Sequence, residues 1–420
     1  MSKQPVTREE ALEYHQYPRA GKLAIETTTE LKTQEDLSKA YTPGVAFPCL
    51  EIEENPENAY KYTAKRNLVA VITNGTAVLG LGNIGALAAK PVMEGKSVLF
   101  KKFSAIDSFD IEVDEENPEK FIDVCKAIAP TFGGINLEDI KSPECFEIEK
   151  RLIEELDIPV MHDDQHGTAI ITSAGVINAC DILGKKLEEL KVVVVGAGAA
   201  AISCSRMYKA IGIKNIIMID SKGVCHDGRD DLNKFKKEFS VKEPMTKMDA
   251  FREADMVLGL SRPGTFTQEH IAVMADEPIV FTLANPTPEL FPDEILAIRD
   301  KALVGTGRSD FNNQVNNVIG FPFIFRGALD VKAKKINMAM KKAAAYAIAD
   351  LAKKPVTDDI KAIFGDHITY SKEYIIPKPF DKRLIVEISS AVAKAAVESG
   401  VAREKNYDHE AYREQLSKMI

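Results

Sequence analysis

A chain of 420 residues is too long for one ordinary hydrophobic core, so two or three domains are expected, and 45% hydrophobic residues give each of them enough to bury. A net charge of −9 argues against a nucleic-acid surface, which needs a basic face, and no apolar run reaches the length of a membrane span. Six scattered cysteines with no C-x-x-C spacing read as reduced thiols of a cytoplasmic protein, and Met1-Ser-Lys-Gln-Pro5 lacks the apolar core of a signal peptide.

Residues 1 to about 60 are polar and helix-leaning, interrupted by the loop Tyr41-Thr-Pro-Gly44. Strand-like runs follow at Leu68–Ile72, Ala77–Leu79 and Val98–Phe100, with an Ala-rich stretch broken at Pro91 between the last two. Phe121, Val124 and Ile128 fall at helical spacing, Thr131–Ile135 reads as a strand feeding a turn, and Cys145–Leu156 as a helix. Pro159-Val-Met161 is a short strand leading to His162-Asp-Asp-Gln-His-Gly167, and a helix spans 168–183. Strands at 191–195, 215–219, 256–259, 279–282 and 303–305 then alternate with helices, which implies a parallel, doubly wound sheet. The tail is helical and Ala-rich at 338–353, with a last helix at 382–398. The expected fold is α/β: an N-terminal α/β substrate domain (1–160), a Rossmann-type nucleotide domain (161–385) and a C-terminal helical tail (386–420).

Two glycine fingerprints of the G-x-G-x-x-G/A form compete for a dinucleotide: Gly80-Leu-Gly-Asn-Ile-Gly85 and Gly196-Ala-Gly-Ala-Ala-Ala201. Such a site needs a buried strand before the glycines, a helix starting on them, and an acid ending the next strand. The second has all three, in Lys191–Val195, Ala199–Ala210 and Asp220. The first is followed by a strand-like run ending in Lys101 and Lys102, which cannot accept a ribose hydrogen bond. Gly196, Gly198, Ala199, Ala200 and Ala201, with Asp220, are therefore the nucleotide-binding candidates, and the Gly80 copy has another task. A carboxylate repels a 2′-phosphate, so Asp220 favours NAD; Ser221 and Lys222 beside it leave NADP open.

Glu138 and Asp139 follow one strand, and Asp163 and Asp164 another, at strand ends where open α/β sheets bind ligands. Converging carboxylates without Cys or His partners make a hard, all-oxygen site suited to Mg²⁺ or Mn²⁺; the alternative is solvated turn acids or helix caps. Asn285, at the end of the 279–283 strand, and the cluster Asn312 to Asn317 offer amides that a nicotinamide or a small carboxylate would need, or are ordinary turn residues. Tyr41 lies in a loop and Lys96 opens a strand-like run; composition selects neither.

Six collinear stretches resemble the malic enzymes of the short, bacterial type: Ala40-Tyr-Thr-Pro-Gly-Val-Ala46, Gly75 to Gly85, Ala129 to Asp139, His162 to Ala169, Ala284-Asn-Pro-Thr-Pro-Glu289, and Gly307-Arg-Ser-Asp310 with Asn316-Asn317. Together they cover roughly residues 20 to 350. The resemblance implies oxidative decarboxylation of malate to pyruvate and CO₂ with reduction of NAD(P). It makes Tyr41 the general acid, Lys96 the general base, and Asp163 a support for the lysine or the metal shell. Glu138, Asp139 and Asp164 would hold the divalent cation, and Asn285 and Asn317 the nicotinamide or a substrate carboxylate. For Lys96 to take a hydroxyl proton, its pKa is expected to fall below its ordinary ~10.4. Ala77 stands where larger members carry a carboxylate-binding arginine, and Asn74 where Asp is more usual. The same resemblance implies a homodimer or dimer of dimers paired through the N-terminal region, with Leu23, Ile25, Leu31, Leu37 and Tyr41 as the apolar face. An oxaloacetate decarboxylase or malolactic-type lyase on this fold is the alternative.

Overall fold

The computed structural model describes residues 6–78 and 80–419; Met1–Pro5, Leu79 and Ile420 lie outside the described residues. Its first sheet is parallel, with strand order β2-β1-β3-β4: β1 (Leu68–Thr73), β2 (Asp107–Glu112), β3 (Gly134–Leu137) and β4 (Val160–His162). Every residue of β1 is buried, as its unbroken apolar, β-branched run requires of a strand covered on both faces. The order reverses between β1 and β3, so the carboxyl ends of these two neighbours open a crevice. Glu138 and Asp139 leave β3 at that crevice.

The run Val98–Phe100 is not a strand. It belongs to the helix Ala86–Ser104, which contains Pro91 and carries Lys96 on its third turn. Its buried residues Ala86, Ala89, Met93, Ser97, Phe100 and Ser104 follow one another at spacings of three and four, the stripe of a helix packed on a sheet. The edge strand β2, with its polar sequence DSFDIE, takes the place expected for the 98–100 run. Ala77 and Val78 form no strand either: Val78 makes only an isolated bridge to Gly82 in an irregular loop, and Leu79 lies outside the described residues.

The second sheet has the order β10-β9-β8-β5-β6-β7: β5 (Lys191–Val195), β6 (Asn215–Asp220), β7 (Gly223–Val224), β8 (Met256–Gly259), β9 (Ile279–Thr282) and β10 (Leu303–Thr306). Five of its strands are parallel, as expected, and the two-residue β7 is an antiparallel edge. The strand order switches direction between β5 and β8, where a ligand crevice is expected. Between the sheets lies the helix Asp163–Leu183, which starts on β4 with Asp163 and Asp164 in its first turn, five residues before the expected start at 168. Helices Phe321–Asp330, Met338–Lys353 and Arg383–Glu398 complete the core around it.

The N-terminal segment is built differently. Helices Arg8–Gln16, Gln34–Ala40 and Ala46–Glu54 contain no buried residue at all. The segment is tied to the body where Lys22 donates from its backbone N–H to Glu94 (2.9 Å) and from Nζ to the Pro91 carbonyl (2.7 Å). Among the described residues no helix is long and apolar enough to cross a membrane.

Candidate active site

The strand and helix ends bring four acids and one lysine together. Glu138, Asp139 and Asp164 each offer a carboxylate oxygen, and the three lie within 4.8 Å of one another. Glu138 and Asp139 are buried, and Asp164 is half-buried. An all-oxygen set of that size fits a hard divalent cation and not a soft one. The backbone N–H of Asp139 donates to Asp164 Oδ2 (2.8 Å), which fixes the 138–139 turn against the start of the 163–183 helix.

Lys96 joins this cluster, not from a strand but from the side of the 86–104 helix. Its Nζ is 3.0 Å from Glu138 Oε1, pairs closely with Asp163, and lies 4.6 Å from the centre of the Phe321 ring. Burial opposes its charge, but the carboxylates of Asp163, Glu138 and Asp164 outweigh burial and hold the ammonium above its ordinary pKa. Taken by itself this ring of carboxylates retains the proton, so the lowered pKa expected of a base depends on the charge of a cation beside the acids. Asp163 also accepts from Asn317 Nδ2 (3.2 Å), and Asn317 Oδ1 accepts from Thr168 (3.2 Å). Gly167 leaves the room for this, since a Cβ there would lie 2.3 Å from Asp163 Oδ1 and 2.9 Å from Asn317 Cγ.

The two glycine fingerprints lie in different surroundings. Gly196 leaves β5 at φ +123°, and a Cβ on it would lie 2.4 Å from the Leu260 carbonyl that follows β8. Gly198 caps the helix Ala199–Ala210, whose first-turn N–H groups have no partner within the helix; Ala199 and Ala200 open that turn, and Ala201 is buried. The Gly80 loop instead approaches the end of β9, where a Cβ on Gly80 would sit 2.9 Å from the Asn285 carbonyl. Asn285 itself is exposed at that strand end and forms no contact with the acid cluster among the described residues.

Asp220 ends β6 where a ribose acceptor was expected, but it is not a bare carboxylate. Arg229 donates to both its oxygens (2.8 and 2.9 Å), Lys236 Nζ adds a third bond (2.8 Å), and the Lys222 N–H a fourth (2.9 Å). Burial works against its charge, yet these donors hold its carboxyl at about 2. The argument that its charge alone rejects a 2′-phosphate does not survive this surrounding of cations.

Tyr41 is not brought to the cluster. It is 69% exposed on the N-terminal segment, and its phenol makes no hydrogen bond among the described residues. Several residues that pattern reading left out do line the cluster: Asn136, which donates to Glu138 Oε2 (3.0 Å), and Phe321 under Lys96. Asn136 was legible, because it precedes Glu138 by two and so shares its face of the strand. Phe321 had no local signal. Glu289, fully absorbed in the loop after β9, accepts from the N–H groups of Ser261 (2.8 Å) and Ala284 (3.1 Å), joining the ends of β8 and β9.

The chain is similar to known proteins over most of its length. Models of the malic enzyme N-terminal domain and the malic enzyme NAD binding domain match residues 20–153 and 165–364. The chain is 56% identical to a probable NADP-dependent malic enzyme of Rickettsia prowazekii over 98% of its own length and 54% of that protein's. It is also 56% identical to an NADP-dependent malic enzyme of Halomonas elongata, covering 94% of this chain and 95% of that one. A crystal structure of malic enzyme from Pyrococcus horikoshii superposes with a TM-score of 0.90 at 43% identity, covering 98% of this chain and 95% of that one. The chain spans about half the length of the first of these relatives and nearly the whole of the second. With its two sheets, its acid–lysine cluster and its nucleotide crevice, the chain belongs to the malic enzyme family.

Proposed function

We propose that the protein oxidises malate and decarboxylates it to pyruvate and CO₂, reducing a nicotinamide coenzyme, with a divalent cation held by Glu138, Asp139 and Asp164. The observation that carries this reading is the convergence of those three acids with Lys96 and Asp163 at one crevice. Lys96 is the base that takes the hydroxyl proton of malate; Asp163 orients it, and Asn317 and Phe321 fix the pair from the other side. When bound, the cation supplies Lewis acidity to the substrate's oxygens and opposes the carboxylate charge that holds the Lys96 proton. Ala77 offers no guanidinium for a substrate carboxylate, which leaves that task to the cation and the amides of Asn285 and Asn317. The six cysteines are all free thiols, five of them buried, which supports a reducing, cytoplasmic setting.

Two finer readings go with it. Arg229 and Lys236 beside Asp220 form a basic rim that accepts a ribose 2′-phosphate, so NADP is a substrate alongside NAD. The relatives of Rickettsia and Halomonas carry NADP in their names, which supports this reading. The second concerns assembly. Ile25, Leu31, Leu37 and Tyr41 are exposed on a segment with no core of its own, together with Tyr14, Phe47 and Leu50. A second copy of the chain covers this face in a homodimer, and the same pairing carries the Tyr41 phenol to an acid–lysine cluster, where it protonates the three-carbon product.

A spectrophotometric assay with malate, Mn²⁺ and either coenzyme tests the reading. Reduced coenzyme and pyruvate should appear together. Lactate formed from malate with no net reduced coenzyme would instead establish the malolactic alternative, and conversion of oxaloacetate to pyruvate with no turnover of malate the decarboxylase one.

A further inference from the structure

Behind the acid cluster lies a second group of ionisable side chains that the proposed chemistry does not use. The helix Glu144–Glu155 buries Cys145, Ile148 and Leu152 in one stripe, and Glu149 sits in the middle of that stripe. A carboxylate there is costly unless both oxygens are paired. Both are. Oε1 accepts from the backbone N–H of His162 (2.8 Å), and Oε2 bonds His166 Nε2 (2.9 Å). Burial works against its charge, but His166, Lys341 and His162 outweigh it and hold the carboxyl at about 2. Lys341, buried on the helix Met338–Lys353, supplies the facing positive charge.

The two groups that Glu149 grips bracket the acids of the site. His162 immediately precedes Asp163 and Asp164, and His166 follows them by two. Those acids face Glu138 and Asp139, so carboxylates crowd at the crevice, and those that carry charge push the 162–166 turn away from the 138–139 turn. Against that push stand the Asp139 N–H bond to Asp164 in front and the Glu149 bonds behind. The hydrogen bonds of Glu149 run to His162 and His166, which flank the acids in sequence.

We infer that Glu149 is a positioning residue: it clamps residues 162–166 from behind, so that Asp163 meets Lys96 and Asp164 meets Glu138 and Asp139. The inference rests on the metal-site reading above and deepens it. A purely structural salt link would, when broken, weaken everything the fold holds. A clamp on this one turn weakens cation binding and leaves the nucleotide crevice alone.

The test is Mn²⁺ binding without malate or coenzyme, followed by the loss of the free-ion paramagnetic signal, alongside coenzyme affinity from nucleotide fluorescence. In Glu149→Gln one oxygen becomes an NH₂ that cannot accept. The Mn²⁺ Kd should rise ~10–100-fold, the range for outer partners of metal ligands, while the coenzyme Kd stays at the wild-type value. His166→Phe removes half of the clamp and spares Glu149, and should move the Mn²⁺ Kd in the same direction by less. If Glu149→Gln does not fold, His166→Phe decides alone. Wild-type Mn²⁺ affinity in the folded variants, or an equal loss of cation and coenzyme binding, overturns the clamp. Asp164→Asn is the reference: it should lose Mn²⁺ binding whatever Glu149 does. Should Asp164→Asn bind Mn²⁺ like the wild type, the metal-site reading itself fails and takes the clamp with it.

Discussion

Lys96 and Tyr41, the two residues assigned to move protons, are built into the molecule in opposite ways. The Lys96 side chain is 14% exposed, ringed by Asp163, Glu138 and Phe321, and carried on a long helix packed against a sheet. Tyr41 is 69% exposed at the end of a seven-residue helix that buries nothing. One half of the proposed acid–base pair is complete within a single chain; the other half waits for a surface to pack against. In the proposed reading the base is a feature of the fold, whereas the acid is a feature of the proposed dimer.

The sharpest blow falls on the built half. Asp164→Asn removes one charge from a three-oxygen site without touching an apolar core residue, so the fold and coenzyme binding should persist while turnover disappears. Wild-type turnover at saturating Mn²⁺ would show that these acids are structural. Tyr41→Phe comes next, with an expected loss of ~10²–10⁴-fold in kcat, the usual worth of a general acid. The comparison adds a condition. If the phenol serves a partner's site, Tyr41→Phe and Lys96→Met should each be inactive alone and regain activity when refolded together. No recovery on mixing, with dimers present, would place both groups in one chain's site. A particle of about 46 kDa with full activity would remove the dimer and its link to Tyr41 together.

Gly167→Ala probes how tightly the built half is set. Its Cβ would land 2.3 Å from Asp163 Oδ1, and Asp163 cannot yield without leaving Lys96 or Asn317. A displacement of that order costs about 10²-fold in rate when it misaligns a reacting group. Normal kcat in Gly167→Ala would mean that Asp163 moves freely and does not orient the lysine.

The same contrast governs what the sequence made legible. Strands β5, β6, β8, β9 and β10 were readable because buried parallel strands are short β-branched runs bounded by turns, and their order along the chain implies their sheet. Val98–Phe100 misled for the same reason: a short apolar run looks like a strand, and Pro91 looked like a break. The longer stripe from Ala89 to Ser104 carried the helical period and outweighs both. β2 escaped because a half-exposed edge strand with three acids has no apolar signature. Within the site, the strand-end acids were visible as a motif, but Tyr41 and Lys96 emerged only from the family resemblance, since neither stands in a pattern. The cations on Asp220 come from nine and sixteen residues downstream, through an irregular stretch that no periodicity describes. Glu149 carries a signal in the sequence, a lone carboxylate on the apolar stripe of a helix.

The smallest effect belongs to the coenzyme, and it turns on those cations. Asp220 is the hub for Arg229, Lys236 and the Lys222 backbone, and in the proposed reading it is also the acceptor for a ribose hydroxyl. Asp220→Ala removes the acceptor and frees the cations at the same stroke, so NAD should bind more weakly while NADP gains. The preference should shift toward NADP by about 1–3 kcal/mol, the scale of hydrogen bonds to charged groups. The ratio of kcat/KM for the two coenzymes reads this directly, and it separates two kinds of failure. An unchanged ratio means that Asp220 only anchors Arg229 and Lys236 and that the ribose lies elsewhere. A fall in activity with both coenzymes, in equal measure, means that the ion-paired hub supports the whole crevice, and that selectivity is written on the other side of the β5 turn.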